Sequence, residues 1–204
     1  MAEKPRLYLI DDDDLVLQTL SASFQSAGFV VTSFREGKSF LESKLKEKNA
    51  CVILDLSMPQ QSGLEILRTL KTRCPLLPVL MYSGKADVLS AVQAMEVGAV
   101  TLIQKPVTSD VLIAKARQAI AENAHNLEQI QKVQEAEKKL AQLSAREKDV
   151  AVLVADGYSA SSIAEKLFIS ARTVEAHKSN IFQKLEVKSV AALTRVVMTA
   201  EAKR

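Results

Sequence analysis

The chain has 204 residues, of which 48% are hydrophobic and 25% are charged, enough to form the core of one large domain or two small ones. It has no apolar run near 18 residues and no secretory leader pattern, so we expect neither a membrane-spanning helix nor a signal peptide. Residues 1–125 carry 14 basic and 14 acidic side chains, whereas residues 126–204 carry 13 and 10 and hold the whole net charge of +3. This basic excess is compatible with nucleic-acid binding by the C-terminal part.

Five short apolar segments alternate with helical patterns in the first 120 residues. The predicted strands are 7–10, 29–33, 51–54, 78–82 and 100–103, and the predicted helices are 15–27, 37–48, 64–73, 88–97 and 108–120. This alternation indicates an α/β doubly wound fold, with five parallel strands covered by helices on both faces. The segment 52–54 is apolar at every position and therefore reads as a strand buried on both faces.

The remaining chain is predicted to be entirely helical. Residues 120–143 contain neither Gly nor Pro and form either a solvated helical linker or a short coiled-coil contact, because Ile130, Val133 and Leu140 partly fit a heptad. Four helices are predicted after it, at 144–155, 161–167, 171–185 and 190–202. Ser144 and Glu147 have the spacing of a capping box at the start of the first of these helices. A tight turn at 168–170 joins the second and third helices, which indicates a helix-turn-helix.

Polar side chains follow four of the predicted strands. Asp11 and Asp12 follow the first strand, Asp55 the third, Ser83 the fourth and Lys105 the fifth. Carboxyl ends of parallel strands meet at one sheet edge, so these groups are expected to form a pocket. Clustered carboxylates suit Mg²⁺, and a metal, a hydroxyl and an amine together can hold a phosphoryl group while a carboxylate attacks it. The alternative for the aspartate run is a solvated turn that caps the next helix.

Residues 4–125 resemble the receiver domain of two-component response regulators. The matching motifs are Ile10-Asp11-Asp12-Asp13, Leu54-Asp55-Leu56-Ser57-Met58-Pro59, Ser62-Gly63, Ser83-Gly84, Gly98-Ala99 and Lys105-Pro106. The resemblance implies that Asp55 is the phosphoacceptor and that Asp12, Asp55 and the Ser57 backbone carbonyl hold Mg²⁺, with Asp11 acting through a water. It also implies that Ser83 and Lys105 contact the phosphoryl group.

Two positions bear on how this receiver would work. Receivers usually carry Phe or Tyr three residues before the lysine, and that ring moves inward on phosphorylation. Here the switch position is Leu102, so we expect coupling through the loop 83–87 and the following helix, with weaker phosphorylation-driven dimerisation. Lys85 occupies a position that commonly tunes phosphate lifetime in the family.

Residues 142–204 resemble the LuxR-type helix-turn-helix domain of FixJ/NarL-class regulators. The signature is Leu143-Ser144-x-Arg146-Glu147-x-x-Val150, Gly157-Tyr158-Ser159, Ile163-Ala164-x-x-Leu167-x-Ile169-Ser170-x-Arg172-Thr173-Val174-Glu175-x-His177 and Asn180-Ile181-x-x-Lys184-Leu185. The third helix would then enter the major groove. The DNA-contacting candidates, divided between phosphate contacts and base readers, are Arg172, Thr173, Glu175, Ala176, His177, Lys178, Ser179, Lys184 and Lys188.

Some of these residues have alternative roles. Glu175 could equally be a local salt-bridge partner, and His177 could make a hydrogen bond within the domain. No second ligand stands at metal spacing from His177, which argues against a metal site there. The segment Ala160-Ser161-Ser162 lacks a lysine that the family usually carries, so we expect weaker non-specific DNA affinity.

The resulting hypothesis is a cytoplasmic, DNA-binding transcriptional response regulator with a receiver at 4–120, a helical linker at 121–141 and a DNA-binding domain at 142–204. A sensor histidine kinase would phosphorylate Asp55, and the phosphorylated protein would form a homodimer that binds double-stranded DNA and RNA polymerase without contacting a membrane. Candidates for the dimer contact, each with a core position as the alternative, are Val92, Met95, Leu102 and Val111. We expect that the protein is not an enzyme, except that its receiver assists its own phosphotransfer and dephosphorylation. Cys51 and Cys74 are expected to be reduced and buried.

Two rival hypotheses use the same residues differently. An aspartyl-phosphate phosphatase would also use Asp55, but such enzymes normally carry a second acid two residues on, where this chain has Ser57. A regulator that binds DNA without phosphorylation would use the receiver only for dimerisation. The complete acid pocket argues against this second rival, and Leu102 argues mildly for it.

Overall fold

The computed structural model describes residues 3–59, 61–84 and 87–202. The chain divides between residues 127 and 128 into two compact units. The first unit has an apolar core on each face of a sheet, and the second has one core among helices. Among the helices of the described residues, none combines the length and apolar content that a membrane crossing requires.

The first unit is built on a five-stranded parallel sheet in the order β2-β1-β3-β4-β5. The strands are β1 Arg6–Ile10, β2 Val30–Phe34, β3 Ala50–Leu54, β4 Val79–Ser83 and β5 Thr101–Gln104. Every residue of β3 is buried, because apolar neighbours cover both of its faces. The predicted fold class and the buried central strand are confirmed.

Helices cover both faces of this sheet. They are α1 Asp14–Ser26, α2 Gly37–Glu42, α3 Gly63–Arg73, α4 Val88–Val97 and α5 Ser109–Ala141. The helices α2, α3 and α4 pack on one face, and α1 and the first part of α5 pack on the other. Gly98 ends α4 with φ of 104°, a left-handed conformation that glycine adopts without steric cost.

The helix α2 is shorter than the sequence predicted. The prediction of helix 37–48 is wrong beyond Glu42, because Ser43 turns to extended backbone and its hydroxyl donates to the Phe40 carbonyl at 2.7 Å. The chain that follows is held instead by a distant side chain, since the Tyr8 hydroxyl accepts a hydrogen bond from the Lys46 amide at 2.7 Å. Leu45, beyond the end of this helix, still packs against the core.

In its described residues, which end at 202, the second unit contains the remainder of α5 and four further helices. These are α6 Ala145–Ala155, α7 Ala160–Leu167, α8 Ala171–Leu185 and α9 Val190–Glu201. The predicted capping box at Ser144 and Glu147 is present. In α5, Ala136 is buried and Leu140 packs against the core of this unit, so part of the predicted linker segment belongs to a packed structure. Five residues of α6, α7 and α8 lie in this core and two pack against it: Val150, Ile163, Val174, Ile181 and Leu185, with Leu153 and Leu167.

Candidate functional site

The four aspartates after β1 have two different roles, at the start of α1 and in the pocket. The Asp13 carboxylate caps α1 by accepting a hydrogen bond at 2.8 Å from the amide two residues on, and Asp14 forms an ion pair with Arg35. Asp11 is buried and accepts a hydrogen bond from the Asp13 amide at 3.0 Å, whereas Asp12 is exposed. The helix-capping interpretation therefore applies to the end of the run, and its first two residues are left for the pocket.

Asp55 lies at the carboxyl end of β3 and is buried. Its amide donates to the Ile10 carbonyl at 2.9 Å, and its Oδ1 accepts from the Ser57 amide at 3.1 Å. Gly63 begins α3 and donates its amide to the Leu56 carbonyl at 3.0 Å. A Cβ at Gly63 would overlap the Asp55 carbonyl oxygen and lie 2.8 Å from the Leu56 Cα. The turn after Asp55 is therefore fixed by a close backbone approach that only glycine permits.

A cluster of charges forms at this edge of the sheet. One ligand oxygen each from Asp11, Asp12 and Asp55 lies within 4.8 Å of the others. Lys105 places its Nζ 2.6 Å from Asp11 Oδ2 and 3.0 Å from Asp55 Oδ2. Burial raises the pKa of Asp11, and the hydrogen bond from Lys105 opposes that change. Burial alone would lower the pKa of Lys105, but its hydrogen bonds to the two carboxylates outweigh this effect and raise its pKa, so the amine remains charged.

The ends of β4 and β5 complete the pocket. Ser83 is fully buried, with its Oγ 3.5 Å from the Ser57 Oγ, and its carbonyl accepts from the Lys105 amide at 2.8 Å. Leu102 is half-buried and packs against the core on the face that α2, α3 and α4 cover. Lys85 lies outside the described residues.

Sequence reasoning missed Tyr82, whose ring centroid lies 5.0 Å from the Lys105 Nζ. The signal available was an aromatic residue directly before the hydroxyl that ends β4. Sequence reasoning also left open whether Val92, Met95 and Val111 are core residues, and all three are exposed in the first unit.

The exposed side of α8 carries most of the residues predicted to contact DNA. Arg172, Glu175, Ala176 and Ser179 are exposed, as is Lys188 beyond the helix, whereas Thr173, His177 and Lys178 are half-buried. The helix begins with a cap, since the Ser170 hydroxyl accepts from the Thr173 amide at 3.1 Å. The Glu175 carboxylate lies 3.6 Å from the Nζ of the half-buried Lys178, an ion pair that matches its salt-bridge alternative.

Lys184 is engaged inside the second unit. Its Nζ lies 2.8 Å from Oε1 and 2.7 Å from Oε2 of Glu147, which is buried. Glu147 also closes the capping box by accepting from the Ser144 amide at 2.8 Å. This pair links the start of α6 to the end of α8. The Lys184 side chain is 44% exposed, so its role as a DNA phosphate contact stays a prediction in which the amine would have to exchange this partner.

These two sites correspond to known families. The response regulator receiver domain matches residues 7–117, and the bacterial regulatory proteins of the luxR family match residues 141–197. The chain therefore belongs to the response-regulator family, and it is a two-component transcriptional regulator with a receiver and a LuxR-type DNA-binding domain.

Relatives along nearly the whole chain share this architecture. The transcriptional regulatory protein FixJ of Bradyrhizobium diazoefficiens is 36% identical over 202 residues, which cover 98% of this chain and 98% of FixJ. The response regulator protein TodT of Pseudomonas putida is 35% identical over 190 residues, covering 93% of this chain and 84% of TodT. The solved structure of the response regulator StyR superposes with a TM-score of 0.81 at 32% identity, covering 96% of this chain and 99% of StyR.

Proposed function

We propose that a sensor histidine kinase phosphorylates this regulator at Asp55. In this reaction an Asp55 carboxylate oxygen attacks the phosphorus of a phosphohistidine, a P–O bond forms, and the P–N bond to the kinase breaks. The observation that supports this proposal is the position of the Lys105 amine 3.0 Å from the Asp55 carboxylate in a cluster of three acids. An amine in this position can neutralise the charge that the phosphoryl group brings.

The donor set of the pocket fits Mg²⁺. Three carboxylates supply hard oxygen ligands, and the exposure of Asp12 leaves room for the waters that Mg²⁺ retains. We propose Asp12, Asp55 and the Ser57 backbone carbonyl as direct ligands and Asp11 as a ligand through water. Bound Mg²⁺ would supply positive charge against the phosphoryl oxygens.

Ser83 and Lys105 are the proposed contacts of the remaining phosphoryl oxygens. The Ser83 hydroxyl lies beside Ser57, two residues from the phosphoacceptor, and both donors occupy strand ends. A shift of the Ser83 loop toward the phosphate would be transmitted to α4. At the switch position Leu102 provides no aromatic ring to follow that shift, so the proposed coupling runs through the loop and α4.

The proposed output is a homodimer that binds double-stranded DNA. Val92 and Met95 of α4 are 48% and 49% exposed and Val111 is 43% exposed, so they are available to a second receiver. On α8 the proposed DNA contacts are Arg172, Thr173, Glu175, Ala176, His177, Lys178 and Ser179, together with Lys188 beyond the helix. RNA polymerase is the further partner that a transcriptional regulator requires, and a cytoplasmic location agrees with the free, buried thiols of Cys51 and Cys74.

The test uses beryllofluoride with Mg²⁺, which forms a stable analogue of the phosphorylated aspartate. We expect the full-length protein to increase in molar mass in sedimentation and to bind its operator more tightly. We expect Asp55→Asn to do neither. No response in the parent, together with an Asp55→Asn variant of unchanged operator affinity, would favour the phosphorylation-independent regulator instead. The rate at which the labelled parent loses phosphate would measure the assisted dephosphorylation that we also propose.

A further inference from the structure

Tyr82 lies under the amine that neutralises the acid pocket. It is the fourth residue of β4 and is 7% exposed, and it belongs to the core cluster that packs against α1 and α5. Side chains alternate along a strand, so Tyr82 and Ser83 point to opposite faces of the sheet. The Tyr82 ring centroid lies 5.0 Å from the Lys105 Nζ, within the range of a cation–π interaction.

The Lys105 amine therefore has attractive partners of two kinds. The carboxylates of Asp11 and Asp55 accept hydrogen bonds at 2.6 Å and 3.0 Å, and the face of the Tyr82 ring attracts the same charge without requiring a hydrogen-bond direction. The Lys105 side chain is only 20% exposed, so water screens this attraction weakly.

This difference in directionality matters when the pocket changes its charge. A phosphoryl group on Asp55 would compete with the two carboxylates for the amine, and those hydrogen bonds would have to exchange. The attraction of the ring does not depend on which oxygen the amine contacts. The ring can therefore hold the amine at the pocket throughout the exchange.

We propose that Tyr82 is a positioning residue for phosphoryl transfer, acting through Lys105. The inference rests on the proposed phosphorylation of Asp55 and deepens it, because it explains how the amine is held near the phosphoryl site. The hydroxyl of Tyr82 has no part in this role. An aromatic ring at this position is what the role requires.

The experiment measures beryllofluoride affinity in the presence of Mg²⁺ for full-length variants. We expect Tyr82→Leu to bind about fivefold more weakly than the parent, and Tyr82→Phe to stay within about twofold of it. Tyr82→Met fills the space with a flexible apolar side chain and serves as a second ring-free variant if Tyr82→Leu fails to fold. Leu80→Val is the matched control, because Leu80 lies on the same strand and in the same core cluster. It should lower the melting temperature and leave the affinity unchanged.

A double-mutant cycle separates positioning from a general loss of packing. If Tyr82 acts through Lys105, then Tyr82→Leu should have no further effect on affinity in a Lys105→Met background. The ring should also shift the NMR resonances of the Lys105 ε-methylene protons, and Tyr82→Leu should remove that shift while Tyr82→Phe keeps it.

The possible outcomes are distinguishable. Full affinity in Tyr82→Leu, or equal losses in the Phe and Leu variants, would overturn the positioning role while the proposed phosphorylation stands. Equal effects of Tyr82→Leu with and without Lys105 would assign the residue to packing and also overturn it. A parent protein that binds no beryllofluoride would overturn the proposed function and this inference together.

Discussion

The ion pair between the buried Glu147 carboxylate and the exposed Lys184 side chain predicts that the second unit loses stability in acid. Glu147 is 5% exposed, and both of its carboxylate oxygens contact the Lys184 amine while Oε2 also accepts from the Ser144 amide. The hydrogen bond from Lys184, followed by that from Ser144, lowers the pKa of Glu147 from its ordinary value of 4.5 to about 2. The carboxylate therefore remains ionised in the folded protein well below its ordinary range.

The direction of the effect follows from the lowered pKa. A carboxyl group whose pKa is lower in the folded state stabilises the fold above its unfolded pKa and loses that contribution as the pH falls through the folded value. For Glu147 this window extends from pH 4.5 down to about 2. A pKa unit corresponds to about 1.4 kcal/mol, which gives an upper value of about 3 kcal/mol. The Lys184 side chain is 44% exposed. Solvent screening therefore reduces the expected contribution to about 2 kcal/mol.

Glu147→Gln isolates the charge, because the glutamine amide oxygen can still accept the capping hydrogen bond. We expect it to lower the free energy of unfolding at pH 7 by about 2 kcal/mol and to flatten the dependence on pH between 4.5 and 2. Urea unfolding of the full chain, followed through the amide resonances of Val150 and Ile181, reports on this unit. Asp149→Asn is the control, since Asp149 lies 3.9 Å from Arg146 in an exposed pair and should cost less than about 0.5 kcal/mol.

Two results would refute this reasoning. One is a Glu147→Gln variant that differs from the parent at pH 7 by no more than the Asp149→Asn control does. The other is a variant that loses stability in acid as steeply as the parent, which would assign the pH dependence to other carboxylates.

Four further predictions concern single positions. Gly63→Ala should lower the free energy of unfolding by about 1–3 kcal/mol because its Cβ overlaps backbone, and beryllofluoride binding should weaken with it. Gly84→Ala, where a Cβ meets nothing within 4 Å, is the control in the same urea experiment, and equal losses would contradict the overlap. Phe168→Asn should stabilise the protein by about 0.5–1 kcal/mol, since Phe168 is 95% exposed with φ of 55°, and unchanged urea unfolding would count against this. Ser161→Lys should steepen the salt dependence of non-specific DNA binding by about one in the logarithmic slope, and an unaltered slope would show that position 161 does not meet the backbone. Leu102→Phe should strengthen beryllofluoride-induced dimerisation measured by sedimentation, and dimerisation no stronger than that of the parent would contradict the switch argument.

Sequence patterns predicted the architecture because burial and spacing determine it locally. The predicted bounds of α4 and α8 agree with the structure, since Gly98 and Asp87 delimit the first and a capped turn precedes the second. The predicted length of α2 is wrong, because Ser43 bonds back to the helix and Tyr8 holds the following loop from another part of the chain. No local pattern contains that second contact.

The pocket was partly predictable for a related reason. The carboxyl ends of parallel strands meet at one sheet edge, so the proximity of Asp11, Asp55 and Lys105 could be predicted without knowledge of their rotamers. The partners of individual amines could not be predicted in the same way. The position of Lys184 near the end of the predicted recognition helix suggests a DNA contact. Its amine instead contacts the carboxylate of Glu147, 37 positions earlier in the chain. The ring of Tyr82 beneath Lys105 is likewise a feature of packing in three dimensions.

The distance along the chain between the members of the acid pocket has a consequence for protein synthesis. Asp11 and Lys105 form their ion pair across 94 positions, and Asp55 and Lys105 across 50. A nascent chain that has emerged only through β4 already holds the three carboxylates but lacks the amine that pairs with two of them. Until β5 is synthesised and joins the sheet, the acids repel one another and a kinase would meet an incomplete acceptor. Under the proposed function, competence for phosphorylation therefore requires a completed receiver, in which the amine has joined the carboxylates.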